Sequence, residues 1–177
     1  KGEANMFQIN DTVVYGAQGV CRIEEISKRE MAGKAMEYYV LKPVYDSNST
    51  LFVPVSNDKL IAKMRRVSSP EEIVALISSM PGENAEWIEN ENERKERYKE
   101  AIARGNRREL IQIIKSLYLH QQKLQEKGKR LHLADDRIFR EAERMLYDEF
   151  ALVLHIKREQ VLPFILQQLG AEEKEGA

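Results

Sequence analysis

The chain has 177 residues, 42% of them hydrophobic, which is enough for one large or two small domains with buried cores. Its 28 Lys and Arg residues nearly balance 29 Asp and Glu residues, so overall charge directs it toward no class of partner. The single cysteine, Cys21, excludes a disulfide framework and a cysteine-based metal site. Without a long apolar run or a signal-peptide pattern, we expect a cytoplasmic protein with no membrane contact. Residues 1–5, before Met6, resemble an expression-vector remnant.

The first part of the chain predicts a small antiparallel sheet over residues 6–68. Short β-branched or alternating runs indicate strands. The predicted strands are Thr12–Tyr15, Gly19–Arg29, Met36–Tyr45, Thr50–Pro54 and Leu60–Val67. A phase shift at Ile26 indicates a β-bulge, and the close spacing of the strands is typical of a strongly bent sheet or barrel. We interpret Cys21 as a buried small hydrophobe rather than a nucleophile.

From Ser68 onward the sequence predicts helices. The run Ser68-Ser69-Pro70-Glu71-Glu72 supplies an N-cap, a first-turn proline and acids that suit a helix N-terminus. The predicted helices are Glu71–Met80, Asn84–Ala103 with Gly105 as the C-cap, Arg107–Glu126, Leu133–His155 and Glu159–Leu169. The fold class is therefore α+β: a β domain over residues 6–68, an all-α domain over 69–170, and a tail over 171–177.

No pattern typical of an enzyme is present. The chain lacks a G-x-x-x-x-G-K nucleotide loop. Its three histidines, His120, His132 and His155, have spacings that suit no shared metal, and we interpret them as surface or helix-end residues. We predict no catalytic residues, no metal and no cofactor.

The only tryptophan, Trp87, lies between two blocks of opposite charge. Residues 83–93 contain five glutamates and no Lys or Arg, whereas residues 94–130 contain twelve Lys and Arg against four Glu, a net of +8. An aromatic side chain in a polar stretch beside clustered cations suggests contact with DNA phosphates and grooves. The acidic block argues against a simple basic groove.

A purely structural interpretation of the same stretch stays open. Trp87 would then pack in the seam between helices with Ile88 beside it. The cations would form a solvated helix face with i,i+4 ion pairs such as Glu93–Arg97.

Several motifs occur in order across both predicted domains. The N-terminal ones are MFQINDTVVY at 6–15, Gly19, EYYVL at 37–41 and Val53-Pro54. The C-terminal ones are Trp87, Arg97-Tyr98-Lys99, Gly105-Asn106, Ala142 and EFAL at 149–152. Together this set resembles the CarD/CdnL family of bacterial RNA polymerase-binding transcription regulators.

The resemblance implies a Tudor-like N-terminal domain that docks on the β subunit of RNA polymerase. The docking residues it implies are Arg29, Met31, Phe52 and Val53. Some family members have an arginine at the position of Phe52, so a more apolar docking surface is predicted here. The same module occurs in transcription-repair coupling factors, but the helicase motifs of those proteins are absent.

The resemblance also implies that the helical domain contacts promoter DNA without sequence specificity and stabilises the open complex. Trp87 would be a minor-groove wedge, and the predicted backbone contacts are Arg94, Arg97 and Lys99. Some members place the Arg-Tyr pair seven residues closer to the tryptophan. On a continuous helix the longer spacing would keep Trp87 on the same face but move it by roughly 10 Å.

The sequence leaves two further alternatives open. The helical domain could bind a protein partner, with Trp87 as an interface anchor in a protein–protein adaptor. We expect a monomer, with a strand-swapped dimer as the alternative, because short edge strands can exchange.

Overall fold

The computed structural model describes residues 6–46, 48–83 and 85–175, with the backbone alone described for 171–175. The chain divides into two compact units, residues 1–67 and 68–177, here called the β unit and the helical unit. Within the described ranges, every helix is too short or too polar to traverse a lipid bilayer.

The β unit is a five-stranded antiparallel sheet with strand order β4-β3-β2-β1-β5, and it confirms the predicted sheet. The strands are β1 (Thr12–Tyr15), β2 (Val20–Met31), β3 (Lys34–Pro43), β4 (Leu51–Pro54) and β5 (Met64–Arg66). A buried cluster fills one side of the sheet and comprises Phe7, Val13, Cys21, Ile23, Tyr39, Leu41, Val53 and Met64. Burial raises the pKa of the Cys21 thiol to about 11, so this side chain packs as a neutral hydrophobe, as predicted.

Two details of the sheet depend on local backbone geometry. The register of β2 on β3 shifts between Ile23 and Glu25, so the bulge lies close to its predicted position. Where the fifth strand was predicted to begin, the chain instead forms a short helix, α1 (Asp58–Ile61). This helix forms because the Asn57 side chain caps it, accepting a hydrogen bond from the Leu60 N–H at 3.2 Å.

The helical unit contains five α-helices among the described residues, which confirms the predicted all-α architecture. They are α2 (Pro70–Ser79), α3 (Glu91–Arg104), α4 (Arg107–Glu126), α5 (Leu133–Leu154) and α6 (Val161–Glu175). Helix α5 is central and packs against each of the other four. Helix α3 ends at Gly105, whose φ of 68° and ψ of 21° give the left-handed C-cap that the sequence predicts.

The start of α3 differs from the prediction, and the difference changes the setting of Trp87. Asn84, the predicted start, lies outside the described residues, and residues 85–90 form neither a helix nor a strand. The helix begins at Glu91 because the Asn90 side chain accepts a hydrogen bond from the Glu93 N–H at 2.9 Å. Trp87 is therefore not on a helix, and the predicted shift along a helix axis is wrong.

A buried carboxylate joins the first residue of the helical unit to its central helix. Glu149 on α5 is 0% exposed and accepts hydrogen bonds from the Ser68 N–H at 3.3 Å and the Ser68 hydroxyl at 3.1 Å. The Nε of Arg107 lies 3.8 Å from the other Glu149 oxygen. The charge is thus buried together with a cation and two donors, which offsets the cost of its desolvation.

This network predicts that Glu149→Gln destabilises the helical unit by about 3 kcal/mol, because Arg107 loses its buried counter-charge. Urea denaturation followed by circular dichroism measures the change. The matched control is Glu126→Gln at the exposed end of α4, for which we expect little effect. Equal midpoints for the two variants would contradict a stabilising role for the network.

Candidate functional site

Trp87 is partly exposed and lies at the edge of a buried cluster formed by α3, α4 and α5. The imidazole of His120, on α4, stacks on the indole with ring centroids 3.6 Å apart and planes 7° apart. The guanidinium carbon of Arg94, on α3, lies over the same indole, 4.3 Å from its centroid. Since an imidazole so close and parallel fills one face of the indole, the guanidinium occupies the other face. The exposed part of Trp87 is therefore the rim of the ring.

Arg94 is held by three hydrogen bonds inside the helical unit and is only 4% exposed. Its Nε and Nη2 donate to the two carboxylate oxygens of Asp135, on α5, at 2.9 and 2.8 Å. Its Nη1 donates to the Ile88 carbonyl at 2.9 Å. Predicted as a DNA backbone contact, Arg94 is instead occupied within the fold and is not available to a phosphate. From this position the Arg94 guanidinium packs against one face of the Trp87 indole and restricts its movement.

The chain around Trp87 is held through its main-chain carbonyls by side chains of α4. The ammonium of Lys115 donates to the carbonyls of residues 80, 81 and 83 at 3.2, 2.7 and 2.9 Å. The Ser116 hydroxyl donates to the Glu86 carbonyl at 3.3 Å. These contacts hold the stretch that leads to Trp87 against α4, because side chains of α4 donate to its main-chain carbonyls.

Part of the acidic block around Trp87 pairs with part of the basic block. Their ion pairs are Glu91–Lys95 at 2.9 Å, Glu93–Arg97 at 3.6 Å and Glu83–Arg108 at 2.9 Å, and Arg104 pairs with Glu109 at 2.9 Å. Both partners of the Arg97 pair are exposed, so this pair is weak and Arg97 stays accessible. Lys99 is exposed and has no ion-pair partner among the described residues. Of the three predicted backbone contacts, the structure thus leaves Arg97 and Lys99 available.

A second group of cations lies where α4 ends and the chain turns toward α5. These residues, here called the turn cations, are exposed, have no ion-pair partner within the described ranges, and comprise Lys123, Lys127, Lys129 and Arg130. With 3.6 residues per turn, Lys123 and Lys127 lie on the same side of α4 as His120. This cationic surface therefore continues from the side of α4 on which Trp87 is stacked. The turn cations belong to the block of net charge +8 in the sequence, but no motif assigned them a role.

His120 is the functional candidate that the sequence did not reveal. It was interpreted as a surface or helix-end residue, whereas it is partly buried beneath Trp87. The two residues lie on different elements and far apart in sequence, so no spacing pattern could have paired them.

In the β unit, three of the four predicted docking residues share one face of the sheet. Strand pairing sets Val40 opposite Phe52, and alternation along β2 and β3 places Arg29 and Met31 on that same face. The guanidinium of Arg29 lies 5.2 Å from the Phe52 ring centroid. Val53 points to the opposite face and is 0% exposed in the core, so its side chain is not available to a partner.

A second aromatic residue, Tyr38, contacts the Phe52 ring on which Arg29 packs. Tyr38 meets Phe52 edge to face, with centroids 6.3 Å apart and planes at 90°. The Nε of Arg29 donates to the Ser27 hydroxyl at 3.2 Å, and its Nη2 donates to the Glu25 carboxylate at 3.3 Å. The Arg29 guanidinium thus packs on the ring of Phe52, which Tyr38 contacts in turn. These three residues are here called the Arg29 platform.

Two family models together match most of the chain. The model described as CarD-like/TRCF RID domain matches residues 7–68, and the model described as CarD, C-terminal domain matches residues 75–165. The chain is also similar to a protein of Bacillus subtilis (strain 168) named "Putative transcription factor YdeB", with 28% identity over 166 residues that cover 90% of this chain and 99% of that protein. The first domain implies interaction with RNA polymerase, and the transcription factors that share both domains are not enzymes. The chain belongs to the CarD family.

Proposed function

We propose that the protein docks on the β subunit of RNA polymerase through its β unit and stabilises the promoter open complex through its helical unit. The helical unit would do so by contacting DNA without sequence specificity, in the minor groove and along the phosphate backbone. The observation that carries the proposal is a rigidly held, partly exposed Trp87 on the side of α4 that leads to the turn cations. An apolar wedge flanked by phosphate-binding cations is typical of proteins that bind the minor groove.

The setting of Trp87 supports a wedge that acts by its rim. His120 and Arg94 cover the two faces of the indole, so a base cannot stack on either face without displacing one of them. The exposed rim can press against a base step from the minor groove. Because the segment is already ordered by α4, binding would not have to order it, and more of the contact energy remains for the complex.

The positions of the free cations support phosphate contacts on α4 as well as on α3. Seven residues separate His120 from Lys127, which on a helix is about 10 Å along the axis. Cations so placed could follow the backbone away from the wedge, while Arg97 and Lys99 provide the contacts expected on α3. Ion-paired arginines such as Arg104 and Arg108 would contribute less, because their charge is already balanced.

In the β unit, the Arg29 platform supports the docking proposal. Phe52 lies under the guanidinium and so limits the orientations that Arg29 samples. Met31 is 41% exposed and adds apolar area on the same face. An oriented arginine beside apolar groups is the composition typical of protein interface hot spots.

The wedge predicts that Trp87→Ala shortens the lifetime of the open complex at least tenfold, since unstacking a base step costs a few kcal/mol that the indole no longer offsets. The measurement is decay of promoter complexes after heparin challenge, with RNA polymerase and either protein. Tyr118→Ala is the control, because Tyr118 is the exposed aromatic of α4 at 49% exposure. Wild-type lifetimes with a folded Trp87→Ala protein would refute the wedge.

The turn cations predict that Lys123→Gln/Lys127→Gln lowers the salt dependence of DNA binding by about two units of slope, because each lysine would neutralise one phosphate. The matched control is Arg104→Gln/Arg108→Gln, which removes the same charge from ion-paired positions and is expected to change the slope less. Equal effects of the two double variants would mean that only net charge matters. If the wild-type protein bound no DNA even at low salt, that result would instead favour the protein–protein adaptor.

The docking surface predicts that Arg29→Glu weakens capture of the polymerase β subunit at least tenfold, by about 1.4 kcal/mol or more, because an oriented charge is reversed. Lys28→Glu makes the same charge change on the opposite side of β2 and should bind normally. Phe52→Leu should bind only a few-fold more weakly, since it removes the cation–π support and keeps the charge. Equal weakening by Arg29→Glu and Lys28→Glu would contradict this surface.

A further inference from the structure

The contact between His120 and Trp87 has an uncommon geometry. Aromatic rings usually pair offset or edge to face, whereas these two lie nearly parallel with centroids 3.6 Å apart. The guanidinium of Arg94 on the other side of the indole is immobilised by Asp135 and by the Ile88 carbonyl. The indole is therefore held between two nitrogen-rich planar groups, and His120 is the one that can change its charge near neutral pH.

We propose that His120 is a positioning residue for Trp87, whose neutral imidazole holds the indole against Arg94 so that its rim is presented to DNA. This inference rests on the proposed function, because it concerns the same wedge. The imidazole acts through the indole and need not touch DNA itself.

Charged groups on four elements act on the imidazole. Burial is the main cause that lowers the pKa of His120 below its ordinary value of 6.5, and the charge of Arg94 on α3 lowers it further. The carboxylates of Asp135 on α5 and Glu89 in the stretch before α3 oppose this shift, while Lys123 on α4 adds to it. The neutral form is thus favoured in the folded protein at neutral pH.

Protonation would weaken the arrangement. With the imidazole protonated, positive charges would face each other across the indole, and one of them, on Arg94, is fixed. Because the folded pKa is lower than the unfolded one, the contribution of His120 to stability is fully present above pH 6.5. It is lost as the pH falls from there through the folded pKa. Loosening of the wedge is expected over the same range.

Trp87 is the only tryptophan in the chain, so its fluorescence reports on this site alone. In the wild type we expect emission to fall on acidification, with a midpoint below 6.5, because an imidazolium quenches a stacked indole. His120→Phe should abolish this titration. His132→Phe, which changes an exposed histidine, should leave it intact. A titration that persists in His120→Phe would overturn the proposal.

The lifetime of the open complex tests the consequence for function. At pH 7.5, His120→Ala should shorten it about two- to tenfold, the factor expected when one aromatic pair is removed. His120→Phe keeps an aromatic ring without a titratable group, so its lifetime should stay near wild type and fall less at low pH. It also serves as the folded reference if the alanine variant is unstable.

Combining the substitutions separates a positioning role from an independent one. If His120 acts through the indole, Trp87→Ala/His120→Ala should behave like Trp87→Ala alone. Additive effects, or a normal lifetime with His120→Ala, would overturn the positioning role. If Trp87→Ala itself sustained wild-type lifetimes, the proposed function and the DNA role of His120 would both be overturned, while the fluorescence titration would still decide whether His120 pairs with Trp87.

Discussion

The buried ion pair between Arg94 and Asp135 is the interaction on which the candidate DNA-binding surface depends. One guanidinium joins α3 to α5, binds the carbonyl beside Trp87 and covers one face of the indole. A buried pair of this kind adds little net stability compared with an apolar contact, but removal of one partner costs about 3–5 kcal/mol because the other charge stays buried. Its main effect is therefore to select one arrangement of helices and segment, and with it one orientation of Trp87.

Pairing of opposite charges explains how an acidic run can adjoin the candidate DNA-binding surface. Glutamates in the first turn of α3 act as counter-ions for basic residues one turn later, through i,i+4 pairs, and Glu83, which precedes the helix, pairs with Arg108. The cations left to attract phosphates are those without such partners. Four of them, the turn cations, lie together where α4 ends. The distribution of unpaired charge on the surface therefore cannot be inferred from the order of charged residues in the sequence alone.

Local signals were sufficient for much of the fold, and tertiary contacts account for what they missed. Helix α3 ends at Gly105 and pairs Glu93 with Arg97 as predicted, because both features depend on residues a few positions apart. The predicted start of α3 was too early, because the helix is capped by Asn90 and begins at the next residue. In β4, strict alternation would have sent Val53 inward and Phe52 outward, but the family resemblance assigned both to the docking surface. The burial of Arg94 and the stacking of His120 arise from packing between helices, which no spacing reveals.

The stretch before α3, which contains Trp87, is anchored through main-chain carbonyl groups and therefore tolerates many substitutions. Lys115 and Ser116 bind main-chain oxygens, and every residue type supplies one. Substitutions can therefore accumulate at the exposed positions of this stretch, whereas Glu83 and Ile88 also make side-chain contacts, and the donors on α4 are constrained by chemistry and position. Differences in length between related chains can likewise be absorbed in this stretch without rotating a helix. Selection on the position of Trp87 would thus act on residues distant from it in sequence, such as Lys115 and Ser116.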